Sequence, residues 1–156
     1  MRSLKSTQYL VIAFITTLLA ACSADKKYPS KMTEVWIAMP DGIRLAADIY
    51  WPDGSHENER FPVLLEYLPY RKDESRGRNF SLYSYFLKHG YIVARVDMRG
   101  TGNSEGVTIP YEYSDIELDD GEKVIEWLSE QEWSTGSVGM FGISWGGFNS
   151  IQMAMR

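Results

Sequence analysis

Gly142-Ile143-Ser144-Trp145-Gly146 fits the pattern G-x-S-x-G, and Gly147 extends it. A serine in that setting is a candidate nucleophile for acyl transfer. The chemistry needs a hydroxyl at the apex of a sharp strand-to-helix turn, with glycines two residues before and after so that neighbouring backbone does not collide with it. The required context is predicted here, because Ser137 to Ile143 reads as a strand and the chain from Trp145 onward as a helix. A helix starting at Trp145 aims unpaired N–H groups and its positive dipole end at the place where an acyl-transfer intermediate carries its oxyanion. Ser144 is therefore the candidate nucleophile, and the Trp145 backbone N–H a candidate oxyanion donor.

Other reactive-looking groups carry less. The glycines after Asp97 fall at Gly100, Gly102 and Gly106, one residue too long for G-x-G-x-x-G, so the loop reads as a tight strand exit with Arg99 and Ser104 in structural roles. Asp115, Glu117, Asp119 and Asp120 crowd the start of a predicted helix, where acids complement the dipole and face water. Arg71, Lys72 and Asp73 read as solvated loop charges. One cysteine forbids an intrachain disulfide, and two histidines without partners at ligand spacing argue against zinc; no metal and no cofactor are expected.

The chain has 156 residues, 44% of them hydrophobic, a globular composition. Lys and Arg number 16 against 21 Asp and Glu, and an acidic balance disfavours nucleic acid as a partner. The first residues read as an address. Arg2 and Lys5 precede an apolar run from Tyr9 to Ala21, long enough for a signal segment and short of a bilayer span. Leu19-Ala20-Ala21-Cys22 resembles the bacterial lipobox, which implies cleavage after residue 21, a lipidated Cys22 and a cell-envelope location on the outer membrane where one exists. Residues 22–32 then form a polar tether, and 33–156 the folded part.

The elements that must hold Ser144 follow from patterning. Glu34 to Met39 and Ile43 to Trp51 flank Pro40-Asp41-Gly42 and suggest an antiparallel hairpin. Phe61 to Tyr67 and Tyr91 to Asp97 are short apolar runs typical of buried strands, separated by a helical stretch from Phe80 to His89 that Gly90 can end. Ser114 to Glu130 reads as a helix opened by a Ser114/Glu117 capping box, with Leu118, Ile125 and Leu128 on one face. Strands alternating with helices predict an α/β domain with a mostly parallel sheet.

Three segments together resemble the cocaine esterase and X-Pro dipeptidyl-peptidase family of α/β hydrolases: Pro69-Tyr70-Arg71-Lys72, the loop Asp97 to Gly106, and Gly142 to Asn149. The stretch Met39 to Tyr50 is similar to that family's N-terminal hairpin, so the resemblance runs from about residue 34 to 156. It implies an α/β-hydrolase fold and a Ser-His-Asp hydrolase without cofactor, with Ser144 as nucleophile and an oxyanion hole made by the Trp145 N–H and the Tyr70 phenol. Many relatives have Tyr where this chain has Trp145, a difference the main-chain role tolerates. Tyr70 ends the third predicted strand, where such a donor is often found; a place in a pocket wall is the competing reading.

In that fold the triad order is Ser, acid, His, and both histidines, His56 and His89, precede Ser144. The chain stops at Arg156 within the helix after the turn, and it reads as the N-terminal part of the fold, inactive alone, whose acid, His, cap and later strands lie beyond it. Two function classes result. One is an exported, lipid-anchored serine hydrolase acting on an ester, amide or X-Pro-type peptide through an acyl-enzyme. The other is a non-catalytic lipoprotein or binding module.

Overall fold

A computed structural model describes residues 31–54 and 58–156. The proposed signal segment, Cys22 and His56 lie outside the described residues. The chain order is β1 (Met32–Ala38), β2 (Arg44–Tyr50), β3 (Phe61–Leu68), α1 (Lys72–Lys88), β4 (Ile92–Asp97), α2 (Asp115–Glu130), β5 (Ser134–Met140) and α3 (Trp145–Met153).

The five strands form one mixed sheet in the order β1-β2-β4-β3-β5. β1 pairs antiparallel with β2, and β2 with β4, whereas β3 lies parallel to both β4 and β5. The predicted hairpin is present: Gly42, at φ 87°, donates its N–H to Met39 O at 2.9 Å, and Asp41 caps the turn by accepting from Ile43 N. Gly90, at φ 78°, ends α1 by donating to Leu87 O. Ser114 caps α2 by accepting from Glu117 N at 3.3 Å.

Two boundaries differ from the sequence reading by more than two residues, while β1 begins at Met32, inside the segment read as tether. The helix expected from Phe80 begins at Lys72, because its first two turns are polar and show no apolar period, while Asp73 and Glu74 suit a first helical turn. The strand expected over Ser137 to Ile143 runs from Ser134 to Met140, because Phe141 to Ile143 leave the ladder to make the turn into α3. Phe141 N still reaches Leu65 O at 3.1 Å.

Strand alternation divides the interior into two unlike faces. Ile92, Ala94 and Val96 of β4 join Leu45, Ala47 and Ile49 of β2 and Val63, Leu65 and Tyr67 of β3 in an apolar core with Val124 and Leu128 of α2. The residues between them, Asp48, Glu66, Arg95 and Asp97, are also buried, on the opposite face. There α1 supplies their partners. Tyr83 donates to Glu66 and accepts from Arg95 at 2.9 Å.

Lys72 is wholly buried, contrary to its reading as a solvated charge. Its Nζ lies 2.5 Å from Glu34, 2.9 Å from Asp48 and 3.2 Å from Asp73. Those three carboxylates gather closely enough to hold a cation. The cation between them is the lysine's own ammonium.

Candidate active site

Ser144 stands at the junction predicted for it, between the end of β5 and the first residue of α3. Its backbone is at φ 57°, ψ −118°, a conformation that L-residues rarely adopt. The flanking glycines have a steric cause. A Cβ on Gly142 would lie 2.7 Å from Gly146 Cα, and one on Gly146 would lie 2.6 Å from Leu68 Cδ2. The two ends of the turn therefore pack backbone against backbone, and the serine between them is pushed outward to an exposed position.

Ser144 opens onto a cavity of about 620 Å³ whose wall includes Tyr70, Leu68, Phe141 and Gly142. Tyr70 and Ser144 thus face the same space, although 74 residues separate them in the chain. The Tyr70 ring meets the Trp145 indole edge-on, with centroids 6.5 Å apart. Two features fix its loop. Arg71 holds φ 55°, and the next residue, Lys72, donates its backbone N–H to Asp97 Oδ1 at 2.6 Å.

The loop after Asp97 is the brace on the other side of that hydrogen bond. Asp97 Oδ2 accepts from Asn103 N at 3.0 Å, and Asn103 Nδ2 donates to Asp73. Burial pushes the Asp97 carboxyl above its ordinary range, against the pull of these donors. A Cβ on Gly102 would fall 2.0 Å from Asp97 Oδ2, so glycine is required there. Ser104 Oγ bridges Ala46 N and Asp97 O, and Arg99 forms a two-pronged ion pair with Asp120 while also reaching Asp41. Both residues are structural, as read from the sequence.

Asp120 and Glu117 are not solvated. They are 4% and 1% exposed, whereas Asp115 and Asp119 do face water. Asp120 is buried by its pairing with Arg99. Glu117 departs from a capping box: its side chain accepts from Tyr113 N at 2.9 Å, one residue before the cap, and from Trp145 Nε1 at 2.7 Å. Burial raises its pKa, and these two donors oppose the rise. Sequence spacing hides this role, because the indole it grips is 28 residues away.

His89 does not join the site. It sits at the end of α1, its Nδ1 2.7 Å from Tyr85 O and its ring against the Tyr85 ring. Among the described residues the site therefore offers an exposed hydroxyl, a phenol facing the same cavity, and a helix N-terminus. That set can present a nucleophile and stabilise a developing oxyanion.

Residues 41–156 match the X-Pro dipeptidyl-peptidase (S15 family). The cocaine esterase of Rhodococcus sp. (strain MB1 Bresler) is 36% identical over 128 residues, 81% of this chain and 21% of that protein. The chain spans about a fifth of the length of the curated relatives it matches. An α-amino acid ester hydrolase superposes with a TM-score of 0.65 at 26% identity, covering 86% of this chain and 26% of its own. A CocE/NonD family hydrolase of Staphylococcus aureus superposes at 0.66 with 24% identity, covering 79% and 25%, a likeness of fold. With residues 41–156 matched and the turn at Ser144 in place, the chain is an α/β-hydrolase polypeptide belonging to the X-Pro dipeptidyl-peptidase (S15) family of hydrolases.

Proposed function

We propose that this chain supplies the nucleophile and the oxyanion hole of a serine hydrolase that cleaves an ester, an amide or an X-Pro-type peptide through an acyl-enzyme. The observation that carries the reading is the strained, exposed backbone of Ser144 at the N-terminus of α3, facing the same cavity as Tyr70. Ser144 Oγ adds to the substrate carbonyl carbon as its proton passes to a base, and the carbonyl π pair moves onto oxygen. That oxygen accepts hydrogen bonds from the Trp145 backbone N–H and the Tyr70 hydroxyl. Collapse of the intermediate expels the leaving alcohol or amine, and water then releases the acid. In this reading the imidazole base and its carboxylate come from outside the described residues. The test is an organophosphonate probe applied to the intact protein, with the labelled peptide mapped by mass spectrometry. Attachment at Ser144 is expected; a protein that resists the probe is the binding module instead.

Tyr70→Phe separates the phenol's two possible roles. It keeps the ring against Trp145 and deletes only the donor, so kcat is expected to fall about 100-fold, near 3 kcal/mol, with little change in KM. Unchanged turnover on an activated ester assigns Tyr70 to the pocket wall.

The lipid anchor is the second part of the proposal, supported by the basic leader, the apolar run and Cys22 at the end of Leu19-Ala20-Ala21-Cys22. No helix among the described residues is long and apolar enough to cross a membrane. Cys22→Ser is expected to abolish incorporation of labelled fatty acid and to release the protein from membranes. Retained label would remove the anchor from the proposal.

A further inference from the structure

Glu117 spends both carboxylate oxygens away from its own helix. A capping-box glutamate closes on the N-cap N–H; this one takes the N–H of Tyr113 at 2.9 Å and the indole N–H of Trp145 at 2.7 Å, at 1% exposure. Its two partners touch each other. The Tyr113 ring packs on the Trp145 indole at 5.6 Å and on Phe148 at 6.1 Å, while the Tyr70 ring meets the same indole at 6.5 Å.

Backbone strain converges on the same spot. The described residues include three non-glycine positions with positive φ: Arg71, Tyr113 and Ser144. Arg71 follows Tyr70, Ser144 precedes Trp145, and Tyr113 is held by Glu117. Such conformations cost energy and persist only where the surroundings over-determine them. A buried acid bound to the strained residue and to the indole is an over-determining contact of that kind.

We propose that Glu117 is a positioning residue for the oxyanion hole: by gripping the Trp145 indole from below it fixes the backbone N–H of Trp145 and, through the ring contact, the Tyr70 phenol. The inference rests on the serine hydrolase reading given above. Glu117 is not among the residues that line the cavity at Ser144, so it acts through the indole. Its effect is to keep the two donors aimed at one oxygen, and small misplacements of such groups cost up to about 100-fold in rate.

The experiment is steady-state kinetics of the intact protein on an activated ester, with thermal unfolding of each variant. Glu117→Gln is expected to lower kcat about 10- to 100-fold with KM within about twofold, since ground-state binding does not use the hole. In a Tyr70→Phe background the same change is expected to cost less than in the wild type, because the share that acts through the phenol is already gone while the share that acts through the Trp145 N–H remains. Full additivity, or an unchanged kcat, overturns the proposal. Should Glu117→Gln fail to fold, Trp145→Phe decides: it keeps a ring and the main-chain N–H but frees the carboxylate, and turnover like the wild type overturns the proposal. Ser144→Ala run alongside separates the two readings. If that variant retains hydrolysis, the serine hydrolase assignment itself fails; if it is dead and Glu117→Gln is normal, only the positioning role fails.

Discussion

Ser144→Ala is expected to lower kcat roughly 10⁴- to 10⁶-fold and to abolish organophosphonate labelling, with KM nearly unchanged. Alanine keeps the Cβ and therefore the strain at φ 57°, ψ −118°, so the fold and its unfolding midpoint should stay where they are. Ser144→Gly removes the same hydroxyl but relieves the conformation, and it is expected to raise stability by about 1 kcal/mol while being equally inactive. Measured together on the intact protein, the pair separates the hydroxyl from the backbone that presents it. Hydrolysis that survives either substitution, or a Gly variant no more stable than the Ala variant, contradicts the turn geometry as the source of function.

Lys72→Met is expected to destabilise the protein by about 3 kcal/mol, read as a drop in the urea midpoint with an unchanged denaturant slope. The ammonium and Asp48 are both fully buried, and removing the ammonium strips the buried carboxylate of its fully buried counter-charge. Arg76 keeps Nη2 2.8 Å from Asp48 and the Tyr50 hydroxyl remains at 3.3 Å, which holds the loss to the lower end of the range for broken buried pairs. The pH dependence follows from two shifts. The Lys72 pKa is raised by its hydrogen bonds to Glu34, Asp48 and Asp73, which outweigh its burial, so its contribution is complete below the ordinary lysine range and is lost only as pH rises through the higher folded value. The Asp73 pKa is lowered, by Asn103 first and then by Lys72, so its contribution is present above the ordinary aspartate range and disappears as pH falls through the lower folded value. The difference between wild type and Lys72→Met should therefore be flat across neutral pH and shrink in acid. A midpoint within experimental scatter of the wild type would show that the cluster is solvated after all.

What the sequence determined by itself is what short-range chemistry encodes. The turn at Ser144 needs glycine at 142 because its backbone meets that of Gly146, a demand local to the turn, whereas glycine at 146 makes room for the Leu68 side chain of β3. The hairpin at Asp41-Gly42, the stop at Gly90 and the cap at Ser114 are local in the same way. The apolar runs of β3 and β4 were legible because both faces of those strands are buried. The tertiary structure decided the polar interior. Lys72, Glu117 and Asp120 sit in segments whose composition matches a solvated loop or a helix surface, and each is buried by a partner 21 to 38 residues away. Charge is an unreliable guide to exposure wherever a counter-charge or donor arrives from another element, since pairing offsets the desolvation that would otherwise keep the group in water. For the same reason Glu117 under the indole could not be read from spacing: its acceptor geometry exists only once α2 and α3 pack side by side.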